Sequence, residues 1–526
     1  MAAVTLRGGE LTREQVAAVA YEHAAVAIDL AAYEKVERGY RALLAVERKD
    51  GPVPLWKLAD LSDDEARGQV SDLRETARRV IVDHAAAVGS PMSTAMVRAA
   101  MLVRLDTLIQ GYSGVRPETV RTLAAMLNAG VHPLVPSKGH LSMAGDLAPL
   151  AHIALVLCAG GGAVEGDTGF AVLGRHEDKA EALTGAEAMR RANVERLWPT
   201  LKESFSLIVG TSMAAARAAL IAWETSRLFN LAIAAGALTC EAMCANRAAF
   251  DERIHRLGPG RADVLAVARQ LDRWTAGSQL VGCRKGGDAF SIRCLPQILG
   301  GIRTALRQAC QVIDEELRLV SDNPLILDDE NGPTCLDGGN FHGERLALAL
   351  DSLRLGLAEI GALSERHAFI MTNRARSGGL PSFLVRERGL NSGFMLAQYT
   401  AAALASENKS LATPYASDSL PACQDYEDHG ALASLSAAAT EKVLANVRTI
   451  LAIEFLCAAQ GVDLRADRGT APGELTDCLR HTLRRQVDHW VNDSVMYRLI
   501  DAAVRLCRPG GELDEIVQDV MGKIDG

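Results

Sequence analysis

Apolar residues along this chain recur at spacings of three and four far more often than they alternate. From Glu344 onward, Leu346, Leu350, Leu353, Leu357 and Ile360 mark one face of a long helix. The stretch from Ser204 to Met243 is rich in Ala and carries charges only at Arg217, Glu224, Arg227 and Glu241. That pattern predicts a helix at the centre of a bundle, buried on most of its faces. Leu432, Leu435, Val443, Val447 and Ile450 predict a third helix. The uncharged run from Leu147 to Val164 contains Pro149, His152 and three glycines at 160–162, which suits a buried helix ending in a loop better than a membrane span. Strand-like alternation is short and rare, as at Ala171-Val172-Leu173. Turn signals fall at Gly51-Pro52, Gly258-Pro259-Gly260, Asn331-Gly332-Pro333, Gly378 to Pro381 and Arg508 to Gly511. There is no low-complexity linker and no repeat of roughly 20–50 residues. The expectation is a mainly α chain, with a smaller N-terminal part over 1–200 and a long-helix bundle over 201–526.

Composition narrows the class. With 48% apolar and 23% charged residues the chain is not generally disordered, and with 4% aromatics its core is built from Ala, Leu, Val and Ile. A net charge of −9 argues against a nucleic-acid-binding surface. Arg7, Glu10, Arg13 and Glu14 interrupt the first residues, so no secretory signal is expected there. Eleven cysteines lie scattered with no C-x-x-C pair, which suggests neither a zinc site nor a disulfide framework. Reduced thiols in a cytoplasm are the expectation. No phosphate loop, dinucleotide fingerprint or metal-ligand cluster stands out, so no external cofactor is implied.

Chemistry concentrates in the polar, glycine-containing segments between the helices. Gly139 to His152 contains G-D-L-A-P-L-A-H, and Lys202 to Thr211 follows it. Ser291 to Gln297 reads S-I-R-C-L-P-Q, Asn340 to Gly343 reads N-F-H-G, Ser406 to Lys409 reads S-E-N-K, and Glu427 to His429 reads E-D-H. In this order, and over nearly the whole chain, these motifs resemble the histidine and phenylalanine ammonia-lyase family. The resemblance implies a long central helical bundle of the ammonia-lyase (fumarase/aspartase-like) type. It also implies a homotetramer with active sites shared between subunits.

The departures from that family lie at its reactive centre. Its members cyclise an Ala-Ser-Gly tripeptide into a methylidene-imidazolone, in which the serine loses water to give the electrophilic methylidene. The matching tripeptide here is Met143-Ala144-Gly145, and Ala144 has no hydroxyl to lose. Ser142 stands two residues from the required place. The family's Tyr-Gly-x-x-Thr-Gly loop, which supplies a tyrosine base, corresponds to Pro54-Leu55-Trp56-Lys57-Leu58-Ala59. The family's Asn in N-G-T is Val209 here, its Gln in Q-D-x-Y-S is Gly287, and its Tyr in that motif is Phe290. One acid–base side chain is worth about 10²- to 10⁴-fold in rate. Losing an electrophile that turns ammonia into a leaving group removes more than that from accelerations that start around 10⁶. The resemblance therefore carries the scaffold further than it carries the cofactor, and none is expected.

The remaining pocket residues suggest what is kept. Arg293 matches the guanidinium that holds the substrate carboxylate in the family; a structural ion pair is its plain alternative. Asn340 and Phe341 border the family's pocket or simply shape a turn. Glu427 faces the amine position, as a base or as a structural carboxylate. His84 matches a substrate-contacting histidine or is a packed helix residue. His140 replaces a small residue and is the candidate for a newly acquired acid or base. Arg284 and Lys285 offer charge near the mouth or belong to a solvated loop. Phe290, Val209, Trp56, Met143 and Ala144 would make the pocket more apolar. The leading expectation is a repurposed enzyme acting on a small carboxylate-bearing substrate by cyclisation, addition or elimination. The alternatives are a non-catalytic scaffold partner, and a serine-to-alanine variant of an ordinary ammonia-lyase or aminomutase.

Overall fold

The computed structural model describes residues 3–53, 73–160, 169–174, 181–282, 286–387, 389–466 and 469–525. Helices dominate it, and the fold is mainly α as the periodicity predicts. Packing divides the chain into two interleaved units. Unit 1 comprises residues 1–220, 310–350 and 414–437; unit 2 comprises 221–309, 351–413 and 438–526.

Unit 1 mixes shorter helices with small sheets. Val4–Leu6 pairs in parallel with Val26–Ile28, and Val131–Pro133, Phe170–Leu173 and Leu183–Thr184 form an antiparallel three-stranded sheet. Leu325–Asp329 and Gly332–Leu336 make a hairpin that turns at Glu330-Asn331, one residue before the Gly332-Pro333 end of the expected break at 331–333. The Thr94–Leu108 helix is buried along almost its whole length, with Arg98, Arg104 and Asp106 inside. Leu147–Leu157 is a buried helix that ends at Cys158, close to the expected form.

The apolar stretch from Ser204 to Met243 is not one helix. Leu201–Ile208 stops at Val209, whose backbone is extended at φ −80° and ψ 132°, and a new helix runs over Ser212–Ala242. Gly210, at φ 122°, makes the break possible because a Cβ there would collide with the Ser321 carbonyl. Hydropathy does not mark Val209 as the helix end, since Leu207 and Ile208 before it are just as apolar.

Unit 2 contains most of each long helix: Ser212–Ala242, Leu295–Glu316, Glu344–Thr372 and Ala433–Ala466. On Glu344–Thr372 all five predicted face residues, Leu346, Leu350, Leu353, Leu357 and Ile360, are fully buried. Burying each such side chain is worth about 1.5–3 kcal/mol, and this stripe outweighs local propensity in holding the helix. Val443, Val447 and Ile450 are likewise buried on Ala433–Ala466, whereas Leu435 is partly exposed and Leu432 precedes the helix at φ 51°. Ala433–Ala466 is long and apolar enough to cross a bilayer, but 78% of its apolar window is buried inside the protein, as in a core helix.

Candidate active site

The tripeptide loop in unit 1 is held by a short bridge to the helix break. Gly210 N–H donates to the Ala144 carbonyl at 3.3 Å, and Asp146 N–H donates to the Gly210 carbonyl at 2.7 Å. A Cβ at Gly145, which sits at φ 83°, would run into Gly210. Two glycines face each other because two backbones touch.

Asp146 is the anchor. Its Oδ2 accepts from Ala214 N–H at 2.8 Å in the first turn of Ser212–Ala242, where a negative charge is stabilised by the helix dipole. Its Oδ1 accepts from Ser434 Oγ at 2.7 Å, and Ser142 Oγ donates to Ser434 Oγ at 2.8 Å while accepting from Ser434 N–H at 3.1 Å. Ser142, Asp146 and Ser434 are all buried, and Ser142 adopts the left-handed φ of 58°. The Ser142 hydroxyl is therefore spent on structure.

Below this loop lies a cluster with two cations and one carboxylate. Lys202 Nζ is 3.3 Å from Asp322 Oδ2, and an Arg104 guanidinium nitrogen is 3.7 Å from the same oxygen. Arg104 also donates to the Ser321 carbonyl at 2.8 Å, and Ser321 Oγ accepts from Thr211 N–H at 2.6 Å. Burial lowers the pKa of both cations despite the pull of Asp322. The cluster fixes the backbone on the far side of Gly210.

Three titratable groups of the expected set lie in unit 1. His140 is half-buried, and its Nδ1 has no hydrogen-bond partner among the described residues. Burial pushes its pKa down, Asp146 opposes and Arg217 adds to the shift, so the neutral imidazole prevails. His84 ends the Leu73–His84 helix, with Nδ1 2.7 Å from both the Val80 carbonyl and Asp83 Oδ1. Burial disfavours its charged form, but the hydrogen bond and charge of Asp83, the Val80 carbonyl and the charge of Glu427 lift the pKa above its usual value. Glu427 is half-buried at the end of a tight loop closed by Ala422 N–H donating to the Glu427 carbonyl at 2.8 Å. Within that loop Cys423, Gln424 and Asp425 all have left-handed φ, from 50° to 67°. The arrangement offers one neutral imidazole, and one imidazole biased toward its charged form by a nearby carboxylate.

The other expected residues are placed as follows. Met143 is buried, and its sulfur occupies the space that a Cβ on Gly430 would need. The tripeptide and the loop after Glu427 therefore pack on each other. Ala144 is half-buried and presents a methyl group, and Val209 is buried. Asn340 is exposed, with Nδ2 3.4 Å from the Val320 carbonyl, and Phe341 is half-buried. The following His342 meets His429, with ring centres 5.4 Å apart and Nε2 to Nδ1 at 3.3 Å, joining the N-F-H and E-D-H segments. Phe290 and Arg293 belong to unit 2, on the single helical turn Phe290–Arg293, and both are exposed. Trp56, with the rest of 54–59, and Arg284 and Lys285 lie outside the described residues. Sequence reasoning missed Ser434, Arg217 and the anchoring part of Asp146. The only available signal was the position of Asp146 before an apolar helix. Nothing in the sequence points to Ser434 as its partner.

Comparison with known proteins places the chain. The aromatic amino acid lyase model matches residues 11–485. A histidine ammonia-lyase of Salmonella heidelberg is 41% identical over 454 residues, covering 86% of this chain and 86% of that protein. The crystal structure of histidine ammonia-lyase from Trypanosoma cruzi superposes with a TM-score of 0.87 at 31% identity, covering 98% of this chain and 95% of that one. Tyrosine aminomutase from Streptomyces globisporus does so with a TM-score of 0.88 at 27% identity, covering 99% and 98%. With the family model spanning most of its length and histidine ammonia-lyases among its relatives, the chain belongs to the aromatic amino acid lyase family.

Proposed function

We propose that this chain is an enzyme of the lyase scaffold that works without the family's ring electrophile, on a small substrate bearing a carboxylate. One observation carries this: position 144, where the family dehydrates a serine, holds a methyl group. The residues present do not fit the methylidene-imidazolone, and Ser142 cannot substitute because Asp146 and Ser434 already hold it.

Chemistry that needs only positioning and proton transfer suits what remains. The reaction is an elimination from a substrate that already carries a good leaving group, or the reverse addition or a cyclisation onto an activated alkene. In the elimination a base takes the proton α or β to the carboxylate, the C–H pair becomes the new C=C bond, and the leaving group departs with its own pair. His140, neutral at pH 7, serves as the base, and His84 and Glu427 share the proton that goes to the leaving group. Arg293 binds the carboxylate as a bidentate partner. Asn340 and Phe341 border the site, and Val209 and Met143 favour a less polar substrate than histidine. The working form is a soluble cytoplasmic homotetramer with shared sites.

Calorimetric titration with small carboxylates such as cinnamate tests the reading, together with R293A and E427A. Binding that vanishes in R293A, with turnover lost in both variants, supports it. Release of ammonia from L-histidine, L-phenylalanine or L-tyrosine by the wild-type protein would end it. A non-catalytic partner of a related tetramer is the second reading, favoured by the loss of several catalytic groups at once. Co-purification of a second lyase chain from the native host would decide for it.

A further inference from the structure

Unit 2 contains a buried polar group that the proposed chemistry does not use. His367 on Glu344–Thr372 and Glu454 on Ala433–Ala466 are almost wholly buried, and His367 Nδ1 is 2.6 Å from Glu454 Oε1. Thr239 on Ser212–Ala242 donates to the same oxygen at 2.8 Å. The other ring nitrogen, Nε2, donates to the Ser291 carbonyl at 3.0 Å.

The Ser291 carbonyl is available because the helix breaks just after it. In Phe290–Arg293 the Arg293 and Cys294 N–H groups donate back to Ala289 and Phe290, both at 2.8 Å. The helix then stops at Cys294 and a new one runs over Leu295–Glu316, and the Ser291 carbonyl is met by the His367 ring. Ile292 is the one fully buried side chain of this four-residue turn, and the bond from His367 is a second attachment of the turn to the core.

The protonation of the pair follows from its geometry. A carbonyl only accepts, so Nε2 carries a proton. Nδ1 against Glu454 then requires a second proton shared between ring and carboxylate. Burial disfavours the charged ring, but the charge and hydrogen bond of Glu454 and the Ser291 carbonyl more than compensate, and the His367 pKa is raised. A charge-assisted donor is a stronger tether than a neutral one.

We infer that His367, held by Glu454 and Thr239, is a positioning residue that clamps the Phe290–Arg293 turn through Ser291 and so aims Arg293 at the substrate carboxylate. The clamp deepens the function proposed above and rests on its assignment of Arg293. His367 touches no substrate; it acts through the backbone two residues before the guanidinium.

Two measurements on the full-length protein test the clamp. One is amide hydrogen exchange over residues 287–297, and the other is the affinity for cinnamate. H367L should speed exchange at 290–294 by about ten-fold or more and weaken cinnamate by about ten-fold, the loss of one charge-assisted bond. H367Q, whose longer amide keeps a donor for Ser291, should stay within about three-fold of wild type, whereas the shorter amide of H367N should behave like H367L. If H367L does not fold, the contrast between H367Q and H367N decides. A purely structural histidine would leave those two alike and would leave exchange at 290–294 no faster than elsewhere in unit 2; either result overturns the clamp. R293A binding cinnamate like wild type would overturn the anchor assignment alone, with the exchange data still judging the clamp.

Discussion

Ser434 donates a hydrogen bond to Asp146 at 2.7 Å across 288 residues of chain. Asp146 in turn takes the Ala214 N–H at 2.8 Å, so one buried carboxylate ties the tripeptide loop to two helix starts. The loop is thereby braced from two sides by buried hydrogen bonds.

Removing that brace should be costly. D146A leaves the Ser434 hydroxyl and the Ala214 N–H buried without their acceptor. Each buried neutral donor left without its acceptor costs about 1–3 kcal/mol. Urea denaturation should show a loss of that order. A loss below about 1 kcal/mol would mean the loop is held by something else.

Restoring the serine should not restore the family's chemistry. A144S supplies a hydroxyl, but Val209, Gly287 and Phe290 remain where the family has polar groups. Near-ultraviolet absorbance of the purified variant, and ammonia release from L-histidine, should both stay at background. The appearance of both would identify the wild type as a lyase disabled at one position.

The link between His84 and Glu427 can be measured directly. The charge of Glu427 helps lift the His84 pKa, beside the stronger pull of Asp83 and the Val80 carbonyl against burial. E427Q should therefore move the His84 titration to lower pH, and D83N should move it further. NMR titration of the ring protons follows both. An unmoved His84 in E427Q would separate the two residues electrostatically.

Stability should carry the mark of Asp106. Burial raises its pKa to about 6 against the opposing Gly9 and Gly8 N–H groups, and its Oδ1 has no partner among the described residues. Between about pH 4 and 6 the folded chain keeps a proton that the unfolded chain has lost, so this group's contribution falls as pH rises through that window. The change is on the order of 2–3 kcal/mol. D106N, neutral throughout, should gain on the wild type across the same window and be more stable at pH 7. Parallel denaturation curves at pH 4 and pH 7 would refute the assignment.

Much of the frame was legible because helix periodicity is local. The stripe from Leu346 to Ile360 needed only three- and four-residue spacing to be read, and its burial followed. That residue 144 is an alanine was legible too, because it is a property of one residue. The break at Val209 and Gly210 was not legible, since its cause is the Ser321 carbonyl more than a hundred residues away, where a Cβ has no room. Nor were the left-handed residues 423–425 that turn the chain before Glu427.

The chain's own order of residues thus determined its class, its long helices and the absence of a dehydratable side chain in the tripeptide. Only the tertiary structure decided that Asp146 meets Ser434, that burial lowers the His140 pKa while Asp83 and Glu427 help raise that of His84, and that His367 reaches Ser291. Spacing along a helix is set by neighbouring bonds. Protonation and hydrogen-bond partners are set by burial and by charges brought from distant segments, and those exist only once the chain has folded.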